Sequence, residues 1–149
     1  MPQVNNPDAV VRTERTLPAT PRDVFVAFEQ PDRLAQWWGP SGFRNTFQQF
    51  EFKSGGIWNF VMHGPNGINY PNESIFREVT PDTKIVIEHV LQPRFTLTLT
   101  FTDRGDKTDL TWVQEFESAE VAERMRSICE PANEQNLDRL EAILASQRP

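Results

Sequence analysis

The stretch from Arg94 to Thr102 alternates without a fault: Phe95, Leu97, Leu99 and Phe101 take one parity, and Thr96, Thr98, Thr100 and Thr102 the other. Successive side chains of a strand point to opposite faces, so this pattern dictates an antiparallel strand with one dry face and one wet face. Such a strand cannot stand alone. It demands partner strands that continue its dry face and a further layer to cover it.

The partners can be read on either side. Asp103-Arg104-Gly105-Asp106 is a turn, and Thr108 to Phe116 follows with Leu110, Trp112, Gln114 and Phe116 on one face. Upstream, strands are expected at Phe43 to Phe52, Ile57 to His63, Asn72 to Val79 and Lys84 to Val90. The turns between them are Ser54-Gly55-Gly56, Gly64-Pro65-Asn66-Gly67 and Thr80-Pro81-Asp82. Trp58, Phe60 and Met62 share a face of the second of these strands. Val10 to Leu17 is a further strand at the start of the domain.

Between that first strand and the meander lie two short helices. Thr20 is placed as N-cap, with Pro21 at the first helical position and Asp23 in the first turn. A second helix, Asp32 to Trp38, ends on Trp37-Trp38 because Gly39-Pro40 cannot continue it. The cover for the sheet is the C-terminal segment. Ser118 caps a helix running to about Ser146, with Val121, Met125, Ile128, Ala132, Leu137, Leu140, Ile143 and Leu144 as its apolar stripe. Pro131 is expected to kink or split it near Glu130.

This order, strand, two short helices, meander, long helix, is an α+β helix-grip arrangement with a sheet of about seven strands. A chain of 149 residues is read as a flexible tail, 1–9, and a single domain, 10–149. Net charge of −6 and scattered basic residues exclude nucleic acid and an anionic membrane as partners. The single Cys129 excludes an internal disulfide and a cysteine-based metal cage. Neither a signal peptide nor an apolar run of the ~18 residues that span a bilayer is seen, so the expectation is a cytoplasmic protein without membrane insertion.

The motifs narrow the family. Trp37-Trp38-Gly39-Pro40, then Gly55-Gly56-x-Trp58-x-Phe60-x-Met62-x-Gly64-Pro65-x-Gly67, then Phe76-x-Glu78-Val79-x-Pro81, and finally Asn136-Leu137-Asp138-x-Leu140 occur in order along Val10 to Ala145. In these the chain resembles the activator of heat shock protein 90 ATPase homologue-like branch of the START-like (SRPBCC) superfamily. The resemblance implies the START-like, Bet v 1-like helix-grip fold, a curved antiparallel sheet wrapped around the C-terminal helix with an apolar cavity between them. Carriers, cyclases and a chaperone-activating domain share that superfamily, so the fold by itself does not name an activity.

The expected partner is a hydrophobic small molecule, lipid-like or an aromatic metabolite, held by a non-catalytic carrier or sensor. Its wall is expected from Trp37, Trp38, Trp58, Phe60, Met62, Phe76, Leu97, Leu99, Trp112, Met125 and Cys129. Trp37 and Trp38 point about 100° apart on a helix, so one is expected in the core and the other at the pocket. Cys129 reads as a small buried helix residue rather than an activated thiol. His89, on the face of Ile85 and Ile87, is the one catalytic candidate. It would serve a cyclase, dehydratase or isomerase as acid or base. His63 lies on the face opposite Trp58 and reads as exposed. Asn133, Gln135 and Asn136 read as a solvated helix face, and Glu73, Arg77, Glu78 and Glu88 as cross-strand ion pairs. No phosphate loop, dinucleotide fingerprint, serine elbow or metal-ligand set is present, so no cofactor and no metal are expected. A third expectation, a co-chaperone or stress-response interaction module, rests on the resemblance alone, and a monomer and a homodimer are both open.

Overall fold

Seven strands carry the alternating segments: β1 (Val10–Leu17), β2 (Arg44–Phe50), β3 (Ile57–His63), β4 (Asn69–Thr80), β5 (Lys84–His89), β6 (Phe95–Asp103) and β7 (Thr108–Phe116). The computed structural model describes residues 6–146 and joins these strands in one antiparallel sheet, ordered β1-β7-β6-β5-β4-β3-β2. Each neighbour from β2 to β7 is thus a hairpin partner, and β1 returns to close the far edge against β7. The β1-to-β2 connection has to cross six inter-strand steps of ~4.8 Å, about 29 Å. Helices α1 (Pro21–Glu29) and α2 (Pro31–Trp37) make that crossing.

Thr20 caps α1 as its sequence requires, accepting from the backbone N–H of Asp23, and Pro21 and Pro31 occupy the starts of the two helices. Helix α2 stops at Trp37, which leaves Trp38 as its C-cap rather than its last helical residue. Gly39 then takes φ +96°, and a Cβ there would sit 2.6 Å from Met62 Cε. A left-handed backbone combined with that approach needs glycine.

The cover is α3 (Ala119–Ser146), 28 residues and about 42 Å long. Ser118 Oγ accepts from the Val121 N–H at its start. The helix runs through Pro131 without a break, contrary to the expected split. Pro131 and Ser127 both lie on the solvent side, where the carbonyl that proline leaves unbonded is not shut into the core. The buried stripe also differs from the expected one. It is Ala122, Asn133, Asn136, Leu137, Leu140 and Leu144, whereas Ile128 is 62% exposed.

The main core joins the inner face of the sheet to α1, α2 and the second half of α3, around Phe25, Phe28, Trp37, Trp58, Phe76, Leu99, Leu137 and Leu140. A smaller cluster, Val11, Phe116 and Ala122 with Met125 and Cys129 against it, fastens the first half of α3. Strand β4 begins before the expected Asn72, so Tyr70 lies within it, opposite Met62. The described part of the expected tail is folded: Pro7–Ala9 form a 3-10 turn, and Ala9 is fully buried. No helix among the described residues is long and apolar enough to cross a membrane.

Leu140→Ala is expected to cost about 2–5 kcal/mol of stability in urea unfolding, and Ile128→Ala less than about 0.5. The reverse ranking would mean that α3 presents its other face to the sheet.

Candidate functional site

Directly paired residues of an antiparallel sheet point to the same face. The register therefore builds a continuous inner surface. One row across the sheet is Phe50, Trp58, Ser74, His89, Phe95 and Phe116; the next includes Phe76, Ile87, Leu97 and Gln114. Between these rows and α3 lies a cavity of about 160 Å³. Its wall comprises Trp38, Gly39, Pro40, Trp58, Phe60, Met62, Asn72, Ser74, Ile87, His89, Phe95, Leu97, Trp112, Gln114, Ala132, Asn133 and Asn136. Two roomier concavities, about 300 and 400 Å³, are open grooves with charged or amide rims, one around Glu88 and Arg94 and one between Asp32 and Gln49. Enclosure by aromatic rings singles out the smaller space.

The tryptophan pair divides. Trp37 is fully buried and donates from Nε1 to the Ala27 carbonyl at 3.0 Å, edge-on to Phe28. Trp38 turns into the cavity. It stacks on Trp112 with ring centres 5.5 Å apart and meets Trp58 edge-on at 5.1 Å. Trp58 in turn stacks on Phe60 at 4.3 Å and lies parallel to Phe76 at 5.7 Å. Of the expected wall, Trp38, Trp58, Phe60, Met62, Leu97 and Trp112 line the cavity. Trp37, Phe76 and Leu99 pack instead in the solid core behind it, and Met125 and Cys129 belong to the separate cluster near Phe116. The last two were expected here because they are apolar and on the covering helix, but that half of α3 lies over Val11 and Phe116. Burial pushes the Cys129 thiol up, away from a reactive thiolate.

Two amides on the wall, Asn133 and Asn136, were expected on a solvated helix face. Asn133 donates from Nδ2 to Gln114 Oε1 at 2.7 Å, a buried bond that ties α3 to β7 across the cavity. Asn136 lies one turn on and is 5% exposed. Asn133, Asn136, Leu137, Leu140 and Leu144 follow at three- and four-residue steps, and that continuity with a leucine stripe was the signal available. Gln114 stands where its parity with Leu110, Trp112 and Phe116 puts it.

Arg139, the unspecified position of the Asn136-Leu137-Asp138-x-Leu140 motif, holds the Trp38 segment in place. Its Nη1 donates to the carbonyls of Trp38, Gly39 and Pro40 at 3.2, 2.9 and 3.0 Å. Its Nη2 donates to those of Gln36 and Phe43 at 2.6 and 2.9 Å. These include carbonyls at the end of α2 that the helix itself cannot satisfy. Burial lowers the Arg139 pKa, and carbonyl dipoles carry the solvation of its charge.

His89 is on the wall, its ring stacked on Phe95 at 4.8 Å. Nε2 is 3.0 Å from Asn72 Oδ1 and Nδ1 is 3.2 Å from the Pro93 carbonyl. The Asn72 amide is oriented by its own donation to the Tyr70 carbonyl. Burial pushes the imidazole pKa below its ordinary 6.5, opposed by the Pro93 and Leu91 backbone, so the neutral ring is the favoured form near pH 7. His63 is on the opposite face, bonded to Thr46 and Asn69. Arg77 pairs with Glu88 across β4 and β5, donating from Nε at 2.6 Å. No group of three metal-ligating side chains occurs among the described residues.

A family model described as Activator of Hsp90 ATPase homolog 1-like protein matches residues 18–145. Solved structures share the fold. A protein from Arthrobacter aurescens has a TM-score of 0.87 at 21% identity, covering 97% of this chain and 91% of that one. A protein from Nitrosomonas europaea has 0.86 at 16%, covering 96% and 98%. An AHSA1 protein from Silicibacter pomeroyi has 0.76 at 22%, covering 94% and 100%. At these identities the likeness is one of fold. No curated protein matches the chain.

Two outcomes are expected. Arg139→Met is expected to lower stability by about 2–4 kcal/mol, because it strands several carbonyls at once. Nuclear magnetic resonance should show its largest shifts between Gln36 and Phe43. The second concerns pH. A folded-state His89 pKa below the unfolded 6.5 means that the unfolded chain binds the proton more readily. Stability therefore falls as pH drops below 6.5. The carboxylates held down by partners, such as Glu88 by Arg77, titrate lower still, below their ordinary 4.5. His89→Gln should flatten the urea-midpoint profile between about pH 5 and 6.5.

Proposed function

The chain belongs to the Activator of Hsp90 ATPase homolog 1-like family, and from that starting point we propose that it binds a small hydrophobic molecule between its sheet and α3, as a carrier or sensor. The observation that carries this reading is the cavity of about 160 Å³ whose wall includes Trp38, Trp58 and Trp112. Cavities of about 150 Å³ accept a benzene-sized molecule, so the fit is to one aromatic ring and not to a long acyl chain. Burying roughly 200 Å² of such a ring at ~25 cal/mol per Å² contributes about 5 kcal/mol before association costs, so the dissociation constant is on the order of 1 mM or weaker. Shape alone supports weak binding; any tighter grip has to come from polar contacts.

One observation favours a second reading. His89 is the titratable side chain on the wall, and it is held neutral near pH 7. A neutral imidazole that exchanges its Pro93 contact for a bound ring is a competent base for an isomerase or dehydratase. In that case His89→Gln abolishes turnover and leaves binding intact.

Native mass spectrometry of protein purified without denaturation is expected to show a reproducible extra mass. Calorimetric titration with toluene is expected to show saturable binding that Leu97→Trp abolishes by filling the space. Absence of both signals in the parent protein would sink the binding reading.

A further inference from the structure

The two ring nitrogens of His89 meet oxygen atoms that can only accept. Asn72 donates from Nδ2 to the Tyr70 carbonyl at 3.0 Å, which leaves its Oδ1 to face His89 Nε2, also at 3.0 Å. Nε2 therefore carries a proton. On the other side of the ring, Nδ1 lies 3.2 Å from the Pro93 carbonyl oxygen, a second acceptor. The doubly protonated imidazolium satisfies both contacts. The neutral ring satisfies the first and sets a lone pair against the Pro93 oxygen in the second. Hydrogen bonding at this position favours the cation.

The cavity favours the neutral form. Among the described residues, no Asp, Glu, Lys or Arg lines it. On the elements packed around His89, the charged side chains flanking its neighbours are Glu73 and Arg77 on β4, Glu88 on β5, Arg94 ahead of β6, and Glu130 and Glu134 on α3, and none of them is on the wall. Glu88 is paired with Arg77 and Arg94, and Glu134 with Arg15. A charge on the ring has no counter-charge on the cavity side, so it is supported by Asn72, Pro93 and solvent alone. A guest that fills about 160 Å³ takes the place of solvent beside the ring. Burial already holds the imidazole below its ordinary 6.5, and an apolar occupant deepens that burial. Resting on the binding reading above, we propose that His89 couples the cavity to protons: a guest is held while the ring is neutral, and protonation of the ring at mildly acidic pH releases it.

A proton and a guest that oppose one another must do so by the same factor, so the coupling can be read from either side. Toluene is titrated into the protein at pH 8.0 and at pH 5.5, and the histidine rings are titrated with and without toluene, both followed by nuclear magnetic resonance. Toluene is expected to bind about twofold or more tightly at the higher pH, and to lower the midpoint of the His89 titration. His63, on the opposite face with Thr46 and Asn69, should keep its midpoint. His89→Gln cannot take up the proton, and its affinity for toluene should be the same at both pH values. The ring titration of the parent protein decides the matter alone should that variant fold poorly. Equal affinity of the parent at the two pH values, or a His89 midpoint that toluene leaves in place, would overturn the coupling and leave the hydrophobic cavity standing. Absence of toluene binding at either pH would remove the cavity reading and this inference together.

Discussion

The structure depends on one cation solvated by backbone. Arg139 reaches from α3 to carbonyls of Gln36, Trp38, Gly39, Pro40 and Phe43, and so fixes the chain where it leaves α2 and enters β2. Asn45 reinforces the same corner from the sheet, donating to the carbonyls of Ala35 and Trp38 at 3.0 and 2.9 Å. With its backbone held from helix and sheet alike, Trp38 has no freedom to withdraw. Its indole is delivered into the gap between the two layers, against Trp58 and Trp112. A surface ion pair would not serve as well, since a guanidinium offers its donors in a rigid planar fork and a carboxylate could satisfy only part of that fork.

Around this corner the sheet is paved with aromatic residues rather than aliphatic ones. Phe47, Phe50, Phe52, Trp58, Phe60 and Phe76 form an unbroken series of ring contacts with centre distances of 4.3 to 5.9 Å. Flat rigid rings do not interdigitate as fully as branched aliphatic chains. A ring-lined space can stay open where leucines would close it, while ring-to-ring contact preserves the stability of the wall. Beside Arg139 on the same half of α3, Arg15 of β1 meets Glu134 and Asp138 at 2.7 Å each, so the covering helix is tethered at the sheet edge as well as over its centre.

Most of the fold was legible because it rests on periodicity. Phe95 to Thr102 could be only a half-buried strand, and each turn between strands carried Gly, Pro or Asp where the backbone needs them. The site was legible only in its apolar half. Trp58, Phe60, Leu97 and Trp112 follow from strand parity, since parity assigns a face whatever lies opposite. Asn133 and Asn136 did not, because an amide on a helix is ordinarily solvated and only the rotational setting of α3 makes these two buried. Ile128 erred the other way for the same reason: its hydrophobicity suggested the core, and the helix turned it outward. Arg139 was beyond reach of any local pattern. Its partners lie about a hundred residues away and are backbone carbonyls, which leave no trace in the identity of the residues that bear them.

The junction of Trp38 with its neighbours has an optical consequence. The chain has four tryptophans, and Trp38 touches each of the other three, with ring centres 5.6 Å from Trp37, 5.1 Å from Trp58 and 5.5 Å from Trp112. At such separations the indoles exchange excitation far faster than they emit. Ultraviolet light absorbed by any of them is shared by the group, and the single Tyr70 is the only other phenolic or indole absorber. The intrinsic tryptophan fluorescence therefore originates in one cluster, three of whose four indoles line the cavity, and the molecule carries its reporter where an occupant would be felt.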